Sequence, residues 1–130
     1  MFQIDPMSRQ AVYEQLIEQM ERFILSGILK TGDQIPSVRS LSVDLSVNPN
    51  TIQKAYSQMD ARGMIYSVPG KGCFISPDAL ERLSKAKMEK MKDFEILIQE
   101  LALAGITQEQ LIESIKNVFS NIEKQNENQK

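Results

Sequence analysis

Apolar residues recur at spacings of three and four through Val12, Leu16, Ile17, Met20, Phe23 and Ile24. That period lines one side of a helix and predicts a first helix from near Ser8 to about Ser26, stopped by Gly27. The stretch Leu29-Lys-Thr-Gly-Asp-Gln-Ile-Pro36 loses the period and reads as a connector, because Gly32 and Pro36 resist helix and Gly-Asp favours a turn. Val38, Leu41 and Leu45 form a narrow stripe over two turns, with Ser37 placed to cap them. A third helix is predicted from Asn48 as N-cap and Pro49 as first helical residue, with Ile52, Ala55, Tyr56 and Met59 inward, ending near Arg62 at Gly63. Two short helices joined by about four residues make a helix-turn-helix.

The pattern then changes. Met64–Val68 and Cys73–Ile75 are short β-prone runs around Pro69-Gly-Lys-Gly72, which predicts a hairpin wing. Pro77 and Asp78 open a long helix to about Ala104, with Leu80, Leu83, Met88, Met91, Phe94, Leu97, Ile98 and Leu101 broadly on one side. After Gly105, Thr107-Gln-Glu-Gln110 fits a capping box, and Leu111, Ile112, Ile115, Val118, Phe119 and Ile122 run as a continuous stripe along a fifth helix. The segment from Glu123 to Lys130 is polar throughout and is expected to fray. The expected fold class is α+β, mainly helical. Residues 1–76 form an N-terminal winged helix-turn-helix DNA-binding domain, and residues 77–130 a short C-terminal two-helix dimerisation appendage with a polar frayed tail.

Composition removes chemistry. The 130 residues contain no histidine and a single cysteine, Cys73, so His-ligated metal catalysis and Ser-His or Cys-His nucleophilic catalysis cannot be assembled. Carboxylates scattered on helix faces read as solubilising charge, and no enzyme is expected. Cys73, beside Phe74 on a wing strand, reads as a small packing residue. No run approaches the roughly 18 apolar residues of a membrane span, and the N-terminus lacks the basic start and apolar run of a signal peptide. A cytoplasmic protein with no membrane partner is expected.

Net charge is −2, which is not the basic balance usual for a nucleic-acid binder, but it is unevenly spread. Residues 1–76 carry seven basic against seven acidic side chains, and residues 77–130 carry eight against ten. Within 37–72 the count is four basic to two acidic, a faintly positive island. On the third helix the outward positions Asn50, Thr51, Gln53, Lys54 and Ser57 include no acid. Asn and Gln can pair with adenine, Lys with guanine or phosphate, and the Thr methyl with thymine. Arg39 follows Val38 of the buried stripe and so points outward. In the wing, Gly70 and Gly72 permit close backbone approach and Lys71 puts a charge at the tip.

Gly32-Asp-Gln-Ile-Pro-Ser-Val-Arg39, Leu41, Leu45, Val47-Asn-Pro-Asn-Thr-Ile52, Ala55, Gly63 and Gly70-Lys-Gly-Cys-Phe-Ile75, taken in order across residues 8–76, resemble the N-terminal domain of the GntR family. The tail of roughly fifty residues and the Val-Asn-Pro-Asn-Thr run resemble its YtrA subfamily. The resemblance implies a transcriptional repressor that binds double-stranded DNA as a homodimer on a partly palindromic operator, often of its own operon and of neighbouring transporter genes. It implies DNA contacts at Arg39, Asn50, Thr51, Gln53, Lys54, Gly70 and Lys71. Pro49 stands where many members carry arginine, so this chain's operator code should differ from theirs.

The two tail helices are amphipathic, and packing on each other and on a small head cannot cover both stripes. Pairing with a second copy through Leu97, Leu101, Leu111, Ile115, Val118, Phe119 and Ile122 resolves this, with a helical hairpin closed within one chain as the alternative. Met88 and Met91 are candidates to line a small apolar effector pocket, though methionine in such stripes is more often adaptable core. No effector or cofactor is indicated. Lys85, Lys87, Lys90 and Lys92 read as a solvated face paired with Glu81 and Glu89 at helical spacing, with phosphate contact as the sharper alternative. Against the regulator stand two other readings: a winged helix that binds protein, favoured by the acidic total, and a non-specific DNA architectural protein.

Overall fold

The computed structural model describes residues 1–128. Its elements run α1 (Val12–Leu25), β1 (Gln34–Ile35), α2 (Val38–Leu45), α3 (Pro49–Ala61), β2 (Ile65–Val68), β3 (Gly72–Ile75), α4 (Ala79–Met88), α5 (Met91–Leu103) and α6 (Gln108–Asn128). They fall into two compact units, Met1–Lys87 and the segment from Met88 onward.

In the first unit the predicted stripes become one core. Leu16, Ile17, Met20 and Ile24 of α1 meet Leu41 of α2, Ile52, Ala55, Tyr56 and Met59 of α3, and Ile35, Ile65 and Ile75 of the sheet, all buried. Each Leu, Ile or Met side chain among them contributes roughly 1.5–3 kcal/mol by leaving water. Ala79 and Leu83 join the same core, so α4 packs on this unit. Glu21 on α1 reinforces it from the rim, receiving Arg62 at 3.3 Å and Lys87 at 3.1 Å. Lys87 thus pairs across elements with Glu21, in place of the expected partner on its own helix.

The first helix starts later than its apolar period suggests, at Val12 and not near Ser8. The cause is Gln15, a buried side chain whose amide takes the backbone groups of the preceding arm. Its Oε1 accepts the Asp5 N–H at 2.9 Å, and its Nε2 donates to the carbonyls of Asp5 and Gln10 at 3.1 and 3.0 Å. Those groups are satisfied outside a helix, and Phe2 at the start of the arm is buried edge-on to Phe23.

The wing is a three-stranded antiparallel sheet ordered β1-β3-β2. Ile65 opposes Ile75 on the core face, while Tyr66 opposes Phe74 on the outer face and stacks with it at 5.7 Å. β1 lies within the segment expected to be a plain connector, where Gln34 pairs with Phe74 and Ile35 with Cys73. Two residues are too few to show a period-2 alternation, so nothing in the pattern announces this strand.

The predicted long helix from Asp78 to Ala104 is two helices, α4 and α5, interrupted at Glu89 and Lys90. Lys90 keeps φ −71° and ψ −10°, close to helical, so the chain loosens there without a glycine or proline to mark it. In the second unit the Thr107 capping box forms as expected. Gln110 Oε1 accepts the Thr107 N–H at 2.9 Å, and Thr107 Oγ1 accepts the Gln110 N–H at 3.1 Å. The polar segment from Glu123 is helical as far as Asn128, and the remainder of the expected frayed tail, residues 129–130, lies outside the described residues.

α5 and α6 pack only sparsely on each other, and no residue of α5 is buried. Ile98, Leu101 and Leu111 are half-buried. Phe94, Leu97, Ile112, Ile115, Val118, Phe119 and Ile122 are all exposed, Phe119 by 62%. Met88 and Met91 are likewise exposed.

Candidate nucleic-acid interface

Helix α3 is set at its start by Asn48, whose Oδ1 accepts the Asn50 N–H at 2.8 Å, and by Pro49 at a position that needs no N–H. With Ile52, Ala55, Tyr56 and Met59 inward, Asn50, Gln53, Lys54 and Ser57 are exposed and Thr51 is half-buried. This is the polar, acid-free N-terminal half of a second helix in a helix-turn-helix, the part that reads base edges when such a helix enters a major groove.

Between α2 and α3 the chain turns through Ser46, the one non-glycine residue with positive φ, at 53°, among the described residues. The Val47 N–H closes onto the Ser42 carbonyl at 3.1 Å, a helix-ending bond that needs this left-handed residue. The turn is therefore tight, and it fixes how α3 leaves α2.

The start of α2 is fixed from two sides. Ser37 Oγ accepts the Ser40 N–H at 3.0 Å, and the Tyr56 hydroxyl of α3 donates to the Pro36 carbonyl at 2.6 Å. Arg39, exposed in the first turn, is thus carried on a segment bonded directly to α3. Burial, with a smaller contribution from Cys73, pushes the Tyr56 phenol well above its ordinary value. Folding therefore favours the neutral phenol, and this stabilisation is complete below a pH of about 10 and lost as pH rises beyond it. Tyr56→Phe is expected to cost about 1–2 kcal/mol in urea unfolding at neutral pH by orphaning the Pro36 carbonyl, and to flatten the alkaline loss of stability. A variant with wild-type stability and an unchanged alkaline profile would refute this role.

At the wing tip the Lys71 N–H bonds to the Val68 carbonyl at 2.9 Å. Gly70 has φ 77°, as a turn with Pro at its second position and a left-handed third residue requires. Gly70, Lys71 and Gly72 share with Gln34, Ile35 and Ser37 the lining of an open depression of about 380 Å³. The wing tip thus faces the start of α2, two residues before Arg39. Lys54 lies elsewhere, its Nζ 4.0 Å from the centre of the Tyr13 ring on α1. Gln53 is held by Ser57 at 3.1 Å. Among the described residues, no carboxylate is within ion-pair distance of Arg39, Lys54 or Lys71. Sequence reasoning misses how Tyr13, Gln34 and Tyr56 support this surface, Tyr56 from its buried side. Tyr56 shows only its apolar spacing there, and Tyr13 and Gln34 act through partners distant in sequence.

Among the described residues no cluster of His, Cys, Asp and Glu could hold a metal, and no helix is long and apolar enough to cross a membrane. A family model described as "Bacterial regulatory proteins, gntR family" matches residues 12–75, which run from α1 to the end of the wing. The chain is 41% identical over 123 residues to the HTH-type transcriptional repressor YtrA of Bacillus subtilis, covering 94% of this chain and 95% of that one. A GntR family transcriptional regulator from Listeria monocytogenes shares the fold with a TM-score of 0.71 and 31% identity, over 88% of this chain and 98% of its own. AraR(DBD) in complex with operator ORX1 matches 58% of this chain and 93% of that one, at TM-score 0.50 and 31% identity. A helix-turn-helix with an acid-free outward face, a three-stranded wing and a relative matched over nearly its whole length lead to one assignment: the chain belongs to the GntR family and is a DNA-binding transcriptional regulator.

Proposed function

We propose that the protein is a sequence-specific repressor that works in the cytoplasm as a homodimer on a partly palindromic operator, that of its own operon and of adjacent transporter genes. The observation that carries this reading is the pairing of an acid-free α3 face with a second unit whose apolar side chains are left uncovered in one chain. Residues 1–76 serve as the DNA-binding domain and 77–130 as the dimerisation region, with α4 tying the two functions together by packing on the head. Asn50, Thr51 and Gln53 read base edges, Arg39 reaches a base or phosphate beside them, and Lys54 holds a phosphate near Tyr13. Gly70 and Lys71 meet the minor groove or its phosphates.

Leu97, Leu101, Leu111, Ile115, Val118, Phe119 and Ile122 form the dimer interface. The closed single-chain hairpin is disfavoured because α5 and α6 leave most of these side chains exposed. A twofold pair of heads matches a half-site pair spaced by about one helical turn of DNA or a multiple of it. The role of the B. subtilis relative as a repressor supports the direction of regulation, and the operator complex of AraR(DBD) supports operator DNA as the ligand.

The test is binding of the purified protein to the DNA upstream of its own gene and to scrambled DNA of equal length, across a salt series. The expected result is a specific shift with two chains per site that weakens as salt rises. Equal binding to both DNAs points instead to an architectural protein, and no binding at low salt to a protein-interaction module.

A further inference from the structure

We propose that Gln34 is a positioning residue for the wing, holding its tip in the conformation that meets DNA; the role in DNA binding rests on the function proposed above. Gln34 sits on β1 opposite Phe74. Side chains on one face of an antiparallel pair also reach the diagonal neighbour two residues along the partner strand, which here is Gly72. From there the Gln34 amide runs on to the tip, where its Nε2 donates to the Lys71 carbonyl at 2.9 Å.

Two features make this a fitted contact. A Cβ built at Gly72 would lie 2.7 Å from Gln34 Nε2, so the amide occupies the space a side chain at position 72 would fill. Gly72 also has φ 124°, a conformation that side chains rarely adopt. The backbone of Lys71 is thus held on both sides of its Cα, its N–H donating to the Val68 carbonyl within the turn and its carbonyl accepting from Gln34 across the sheet. Gln34 is five residues before Arg39, and the intervening Pro36 and Ser37 are fixed by Tyr56 and by the α2 cap. The tip of the wing is therefore tied by the Gln34 side chain to the strand that leads into the first turn of α2.

Gln34 is exposed, so its replacement leaves the core intact and separates positioning from folding. Gln34→Met keeps the length of the side chain and removes the donor. In the free protein, the amide order parameters of Gly70, Lys71 and Gly72 are expected to fall from about 0.85 toward 0.6 or below, with those of α3 unchanged. On the upstream DNA duplex, affinity is expected to fall about three- to tenfold, the scale of one net hydrogen bond. Protection from hydroxyl radical at the flanking minor groove should weaken with it. Combined with Lys71→Ala, the loss should be smaller than the product of the two single losses, because both changes disable the same tip.

Unchanged order at the tip, or fully multiplicative losses in the double variant, overturns the assignment. Wild-type protein that binds no DNA, while Gln34→Met still frees the tip, overturns the DNA-binding reading and reduces the hydrogen bond to a purely structural one.

Discussion

Glutamate at both Ile115 and Phe119 is expected to turn the proposed dimer into monomers and to lower operator affinity by at least about a hundredfold. Both side chains lie on the α6 stripe with Leu111, Val118 and Ile122, spaced three and four apart, and both are open to solvent in one chain. Burying an apolar side chain of this size is worth roughly 1.5–3 kcal/mol, and twofold symmetry counts each position twice. An unpaired carboxylate in the same place adds a desolvation cost of several kcal/mol. Two linked heads bind two half-sites with an effective concentration that separate heads lack, so loss of pairing is felt on DNA as loss of avidity. Light scattering gives the mass and a gel shift gives the affinity.

The head has its own core within Met1–Lys87 and should keep its unfolding transition in the variant. The helical signal of α5 and α6 should fall, since isolated amphipathic helices are marginal without packing. Asn117→Glu, on the opposite side of α6, is the control expected to leave both mass and affinity unchanged. A variant with both glutamates that remains dimeric would place the interface elsewhere.

The parts of this molecule that were legible in the sequence are those whose signal is local. Ser37, Asn48 and Thr107 announce their helices because a capping side chain acts within three residues of itself. The inward faces of α1 and α3 are legible because Leu16, Met20, Ile52 and Met59 repeat at the helical period. What stayed hidden depends on partners far along the chain. The late start of α1 is caused by Gln15 reaching back to Asp5 and Gln10, and glutamine carries no sequence mark of burial. β1 exists because β3 offers it an edge, and Gln34 acquires its role only through Lys71, 37 residues away. The interruption between α4 and α5 has no breaker residue, so the apolar period reads through it. On the candidate interface the exposure of Arg39, Asn50 and Gln53 was legible from the helical period, but the seat of Lys54 over Tyr13 needs the packing of α1 against α3.

That seat separates Lys54 from Arg39 in kind, and their alanine variants should differ accordingly. Arg39 is exposed in the first turn of α2, next to a segment fixed by Tyr56 of α3, and its planar fork suits two parallel bonds to a guanine edge. Arg39→Ala is expected to cost about 1–3 kcal/mol on the operator and much less on scrambled DNA, so that the preference between them falls by roughly ten- to a hundredfold. Lys54 rests its ammonium on an aromatic face at the α1 edge, a point charge suited to a phosphate. Lys54→Ala should therefore weaken operator and scrambled DNA alike, leave the preference intact, and make the salt dependence shallower by about one unit for each phosphate left unneutralised. Measuring both variants on both DNAs across a salt series distinguishes the two roles in one experiment. If the double variant bound the operator as the wild type does, the reading face would have to lie away from α2 and α3, and the placement of the DNA would be wrong.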